Sequence, residues 1–287
     1  METEKLYQTY KPLLFSIAYR MTGSIADAED LVHEAFLTYD RISSEKVIEN
    51  KKAYLCKIVM NSSIDKMRSA ASRREVYVGE WLPEPLVDEG GDPSQTYLMK
   101  ESISTAYLLL LQQLSEDERA VFLLREVFQY SYEEISAIIE KSPSNCRQIF
   151  HRAKKSMENR PKAPSLDFQS MRMRVEQFTM ALQKGNIHKM LELLKTDSVF
   201  ISDGGGKVKA ALNPIYTSER IVFLFTSIMK KLPENSRMEF RVVNGYPGVV
   251  ILVNDLVAYV VSLEFHEDEI SRIYMVANPE KLAHLQK

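Results

Sequence analysis

The chain has 287 residues, 45% of them hydrophobic, and a formal net charge of −2. That length suits about two domains with real cores. No apolar run approaches the roughly 18 residues a membrane span needs, and the N-terminal METEKLYQTY lacks the basic, then apolar, pattern of a signal peptide. The two cysteines, Cys56 and Cys146, lie far apart inside helical patterns. This excludes a disulfide framework, offers no metal site and points to a reducing, cytoplasmic setting with no membrane.

Apolar periodicity predicts a first helix over about 5–21, ending near Gly23. Ser24 is placed to cap the next helix, DAEDLVHEAFLTYD (27–40). There Ala28, Leu31, Val32, Ala35, Phe36 and Tyr39 share one face, and Asp27, Asp30 and Glu34 share another. Such an acidic face is either solvated surface or the dock of a basic partner, since DNA phosphate would repel it.

A third helix is expected over about 51–72. Charge is strongly segregated here: residues 27–49 carry seven acids against two cations, and residues 51–76 carry seven cations against two acids. In the basic segment Asn61, Asp65 and Arg68 recur at roughly helical spacing, with Lys66, Arg73 and Arg74 beside them. The segment YVGEWLPEPLVDEGGDPS (77–94), with three prolines and three glycines, breaks regular structure and reads as a linker.

Helices return over 95–158, with capping boxes at Ser115/Glu118 and Ser131/Glu134 and an N-cap with proline at Ser142-Pro143. SYEEISAIIEKSPSNCRQIFHRAKKSM (131–157) has the helix, short turn and helix of a helix-turn-helix. The predicted buried stripe of its second helix is Cys146, Phe150, Ala153 and Met157. Asn145, Arg147, Gln148, His151, Arg152, Lys154 and Lys155 are left outward, with Arg and Gln suited to base edges and the later cations to phosphates. Glu140 stands in the turn where glycine is usual, which implies left-handed strain.

After RPKAPS (160–165), two helices at about 167–184 and 186–195 and one at about 218–232 accompany strands at RMEFRVVN, GVVILV, LVAYVVSLEF and ISRIYMVA. This indicates an α+β domain with one curved antiparallel sheet. DGGGK (203–207) reads as a tight hairpin, a phosphate cradle lacking the usual spacing, or an exposed tip making a protein contact through Asp203 and Lys207. Asp203, Tyr216, Tyr259, Glu264, His266 and Tyr274 could line a pocket, but no pair has a spacing that demands catalysis. No catalytic residue, enzyme activity or cofactor is therefore expected.

The acidic DAEDLVHEAF helix, AYLCKIVMNSSIDKMR, a linker and a helix-turn-helix ending HRAKKSM together resemble the extracytoplasmic-function (ECF) sigma factors of bacterial RNA polymerase over about 1–160. Residues 167–287 resemble the SnoaL-like, ketosteroid-isomerase-like cone. WLPEP (81–85), DGGGK (203–207) and NPEKL (278–282) match the sub-group that carries such a fused domain. The fold expected is thus multi-domain: sigma region 2 as a helical bundle (1–76), a linker (77–100), a region 4 helix-turn-helix (101–160), a short linker (161–166) and the cone (167–287).

The resemblance further implies partners and roles. RNA polymerase core would be met at its clamp and flap regions, the clamp docking on Asp27, Asp30 and Glu34. The −10 promoter element would meet Asn61, Asp65, Lys66, Arg68, Arg73 and Arg74, with Asn61 helping to hold a flipped base, and the outward face of 144–155 would read the −35 element. Tyr54 stands where the family usually has tryptophan. Cis regulation would run through Trp81, Leu82, Pro83, Asp203, Gly204, Gly205, Gly206, Lys207, Asn278 and Pro279, with no separate anti-sigma factor and room for an unidentified small ligand in the cone. The alternatives are a stand-alone helix-turn-helix regulator with a ligand-sensing cone, and a cone-fold enzyme with a DNA-binding appendage.

Overall fold

A computed structural model describes residues 2–74, 77–88, 103–157 and 166–286, with side chains from residue 4 and not between 70 and 74. The Arg73 and Arg74 side chains, residues 89–100 of the expected linker and residues 161–165 lie outside the described residues. The chain divides into two compact units. Of the described residues, the first holds 2–74 and 107–157, and the second holds 77–88, 103–106 and 166–286.

The first unit is helical: α1 (Glu2–Thr22), α2 (Ile25–Ser43), α3 (Lys51–Arg74), α4 (Thr105–Leu111, whose first residues fall in the second unit), α5 (Glu116–Phe122), α6 (Tyr132–Ile139) and α7 (Pro143–Ser156). A single π-helical turn, Leu123–Val127, extends α5. The caps stand where residue chemistry places them. Ser24 accepts the Asp27 N–H, and Ser115/Glu118 and Ser131/Glu134 form reciprocal boxes that satisfy otherwise orphaned N–H groups. The α2 stripe Ala28, Leu31, Val32, Ala35, Phe36, Tyr39 is buried, as are Leu14, Ile17, Leu55 and Met60 of α1 and α3, the two helices that α2 touches.

The second unit contains α8 (Phe168–Gln183), α9 (Ile187–Leu193), β1 (Leu194–Asp203), β2 (Ile215–Tyr216), α10 (Ser218–Met229), β3 (Ser236–Val243), β4 (Tyr246–Val253), β5 (Leu256–His266) and β6 (Glu269–Val276). The strands form one sheet in the order β2-β1-β6-β5-β4-β3. Asn244-Gly245 and Asn254-Asp255 make two-residue hairpin turns, and all four residues have positive φ. The sheet is mixed, not wholly antiparallel as the strand pattern suggested, because β1 pairs with β6 in parallel. The reason is topological: β1 leaves the helices, the chain crosses over through α10 and the β3–β6 meander, and the last strand returns alongside the first. One face of the sheet carries α8–α10 over a core that includes Phe178, Phe200 and Phe225, whose rings meet edge to face at 6.1 and 5.1 Å.

Residues 86–88 are laid against the end of β3. The Asp88 N–H donates to Val242 O (3.0 Å), the Asn244 N–H to Leu86 O (2.8 Å) and the Leu86 N–H to Asn244 Oδ1 (2.7 Å). An antiparallel bridge joins Val87 to Val243.

Candidate functional site

The helix-turn-helix is α6 and α7. Ser131 and Glu134 start α6, and the cap's hydrogen bonds hold the Glu134 carboxyl below its ordinary range. The turn passes through Glu140 at φ 57°, ψ 39°, the left-handed conformation that most side chains resist. Ser142 then accepts the Asn145 N–H at 3.2 Å, with Pro143 in the first turn of α7. Cys146, Ile149 and Ala153 are buried on α7, with Met157 buried just beyond it. Ile149 thus takes the place expected for Phe150, which is half-buried between Phe122 and Tyr132, its ring 6.3 and 6.2 Å from theirs. The expectation failed because the seven-residue cycle allows either neighbour to face inward, and the aromatic clamp holds Phe150 at the margin. Asn145, Arg147, Gln148, His151, Arg152, Lys154 and Lys155 are all exposed.

Several candidate cations already touch acids of the same unit. Arg147 reaches Glu133 (3.4 Å) and lies over the Tyr132 ring, and Arg152 reaches Glu118 (3.4 Å). On α3, Asn61 is half-buried, Asp65 and Arg68 are exposed, and Lys66 pairs with Asp27 at 2.8 Å. Arg68 meets Asp65 and Asp117, each at 3.6 Å, and Lys141 meets Asp117 at 3.0 Å. Lys57 pairs with Glu140 at 2.9 Å. Asp30 and Glu34 stay exposed on α2, and the half-buried Tyr54 ring lies 6.5 Å from Tyr39. α3 and the helix-turn-helix therefore share one unit, with the Tyr130 hydroxyl hydrogen-bonded to the buried Cys56 thiol at 3.3 Å.

Within the second unit, the three short motifs converge on one carboxylate. Asp203 is fully buried. It accepts from the Tyr77 hydroxyl (2.5 Å), the Leu82 N–H (2.8 Å), the Gly205 N–H (3.0 Å) and Lys281 Nζ (2.6 Å). Lys281, 7% exposed, also donates to Leu82 O, and its Nζ lies 3.8 Å from the centre of the half-buried Trp81 ring. Asn278, buried, donates to the Tyr77 hydroxyl at 3.0 Å. Burial, then the bond to Asp203, raise the Tyr77 phenol above its ordinary range. Leu82 and Pro83 are buried, and Pro279 is exposed.

This corrects two expectations for DGGGK. Asp203 is not at an exposed tip: it is fully buried, and its four donors offset the cost of taking a carboxylate out of water. Nor is the segment a tight hairpin: β1 rejoins β2 only at residues 215–216, after a loop over 204–214. The glycines serve close approach. A Cβ at Gly205 (φ 57°) would meet Asn278 Nδ2 at 2.2 Å, and one at Gly206 (φ 70°) would meet Val78 at 3.1 Å. Lys207 is exposed and pairs with Glu280 at 3.0 Å. Tyr77 and Lys281 were missed by the sequence reading; the NPEKL match ran through Lys281 without marking its role.

The pocket residues expected from the sequence do not assemble. Tyr259 lines a cavity between the sheet and α8 and α10. Asp203 is in the clamp, Tyr216 is 57% exposed and His266 is exposed. Glu264 accepts from Tyr274 (3.1 Å) and Arg272 (3.3 Å) on the opposite face of the sheet, because the alternation that turns Leu263 and Phe265 inward turns Glu264 away. Among the described residues, no group of three or more His, Cys, Asp or Glu could hold a metal ion, and no helix is long and apolar enough to cross a membrane.

Residues 6–73 match sigma-70 region 2 and residues 104–157 match sigma-70 region 4. The chain is 29% identical to the ECF RNA polymerase sigma factor SigJ of Mycobacterium tuberculosis, over 96% of this chain and 91% of that protein. It is 26% identical to the probable ECF RNA polymerase sigma factor SigI of the same organism, over 96% and 93%. The crystal structure of Mycobacterium tuberculosis SigJ superposes with a TM-score of 0.79 at 25% identity, covering 97% of this chain and 98% of that one. A stand-alone helix-turn-helix regulator is not favoured, because region 2 accompanies region 4 and the likeness to sigma factors runs the length of the chain. With helical regions 2 and 4 followed by an α+β domain, the chain belongs to the ECF sigma factors, proteins that direct promoter-specific transcription initiation.

Proposed function

We propose that this sigma factor binds bacterial RNA polymerase core and promoter DNA in the cytoplasm, and that its C-terminal cone regulates it in cis without a separate anti-sigma factor and without catalysis. The division of labour follows the chain. Residues 1–76 engage the polymerase clamp through Asp27, Asp30 and Glu34 and the −10 element through Asn61, Asp65, Lys66, Arg68, Arg73 and Arg74. Residues 101–160 engage the flap and read the −35 element through the exposed face of α7. Residues 167–287 act on the linker.

One observation supports the regulatory part above others: the buried Asp203–Lys281 pair holds Tyr77 and Leu82 of the linker. A segment so held loses conformational freedom, so its state in the clamp biases what the sigma regions on either side of it can reach.

Run-off transcription with core polymerase on the protein's own upstream region tests this. Transcripts from one start site, requiring both core and the full chain, are expected. Lys281→Met and Asp203→Asn in the full chain should change their yield several-fold. Equal yields from all three proteins would sink cis regulation while leaving the sigma activity standing.

A further inference from the structure

The cone holds a cavity of about 130 Å³ whose chemistry is one-sided. Its walls include Phe178, Phe225, Met238, Ile251, Val261 and Met275, from α8, α10 and all four meander strands. Among the described residues that line it, no Asp, Glu or His appears, and Lys209 alone carries a charge. The Thr179 hydroxyl is already committed to Val175 O at 2.8 Å. The site therefore has no general acid or base of the usual carboxylate or imidazole kind. An apolar cavity of about 150 Å³ is enough to stay dry and take a benzene-sized guest. A lysine at the edge of such a space adds attraction for one kind of polar end, an anion.

Lys209 sits in the loop 204–214, which touches the linker on either side of it. At one end the Gly205 N–H bonds Asp203, and a Cβ on Gly206 would strike Val78. At the other, Ser202 Oγ accepts the Ala211 N–H (2.9 Å), and Leu212 packs 3.6 Å from the point where a Cβ on Gly79 would lie.

We propose that this cavity binds a small apolar carboxylate, with its hydrocarbon among the aromatic and methionine side chains and its carboxylate on Lys209, and that the 204–214 loop transmits occupancy to the linker clamp. The transmission rests on the cis-regulatory reading above, whereas the binding does not. Recruiting Lys209 to a bound anion pulls on the middle of a loop whose ends hold Tyr77–Leu82, so the ligand shifts the clamp only as far as it prefers one loop position.

The test uses the full chain and benzoate, with benzyl alcohol as its uncharged counterpart. Calorimetric titration should show saturable benzoate binding. Lys209→Gln, on an exposed loop that should tolerate the change, should weaken benzoate about tenfold and leave benzyl alcohol unchanged. Val261→Phe, which fills the cavity, should abolish binding of both. Trp81 is the only tryptophan, so its emission reports the clamp directly and should shift along the same isotherm. Absence of saturation, or benzoate binding indifferent to both substitutions, overturns the site. Equal affinity for benzyl alcohol and benzoate overturns the role of Lys209, and saturation without change in Trp81 emission overturns the coupling. None of these readings involves polymerase, so failure here is distinguishable from failure of the transcription experiment.

Discussion

Replacing Lys281 with methionine keeps the aliphatic stem and removes only the ammonium. Asp203, fully buried, is then left charged without its counter-ion. Breaking a buried pair by deleting one partner costs about 3–5 kcal/mol. Asp203 keeps the Tyr77, Leu82 and Gly205 donors, which favours the lower end. Loss of the bond to Leu82 O adds about 1 kcal/mol and loss of the cation over Trp81 about 0.5–2 kcal/mol. We therefore expect Lys281→Met to lower stability of the second unit by about 5 kcal/mol. Asp203→Asn, which strands the ammonium, should cost about 3 kcal/mol. The double variant removes both charges and should cost well under the sum, giving a coupling of about 2–3 kcal/mol. Urea unfolding followed by Trp81 emission measures all three, and the native emission of each variant should move to the red as Trp81 meets water. A loss under about 1 kcal/mol for Lys281→Met, or additive single effects, would refute the claim that this pair organises the linker.

Other outcomes follow from the same geometry. Gly205→Ala forces a Cβ onto Asn278 at 2.2 Å at φ 57° and should cost about 1–3 kcal/mol, whereas Gly185→Ala, with φ 64° and open space, should cost about 1 kcal/mol; thermal unfolding of the two variants compares them. Tyr77 should impose an alkaline limit: its phenol is raised by burial and by Asp203, so above about pH 10, where a free tyrosine ionises, the unfolded chain holds fewer protons than the folded one and stability falls. Tyr77→Phe should flatten that decline in a pH series of unfolding midpoints. On promoter DNA with holoenzyme, Arg147→Ala should cost about 1–3 kcal/mol at a −35 base and relax preference there, while Lys155→Ala should weaken all sequences alike and lower the salt slope by about one; binding isotherms at several salt concentrations separate the two.

Much of the first unit is legible because its determinants are local. A cap and its acceptor are three residues apart, as at Ser131 and Glu134, and a helical stripe repeats within a dozen. The distinction between Ile149 and Phe150 was not legible, since both satisfy the period and only neighbours from α5 and α6 choose between them. The clamp was half legible. Its motifs could be placed by resemblance, yet Asp203 in a Gly-rich turn looks like surface, and the groups that make its burial tolerable, Lys281 78 residues later and Tyr77 and Leu82 more than a hundred earlier, are remote in sequence. The parallel β1–β6 pair was hidden for a similar reason: alternation marks a strand and its faces but not the direction of a partner about seventy residues away.

The clamp also fixes an order of events during synthesis. Asn278 and Tyr77 are 201 positions apart, and Lys281 and Leu82 are 199 apart. At roughly 5–20 residues per second, the ribosome needs about 10–40 s between making the linker and making the residues that hold it. In that interval the helices of regions 2 and 4 have all emerged and can fold, while the tether has nothing to grip it. Every newly made molecule thus passes through a period in which residues 77–82 exist without the residues that hold them.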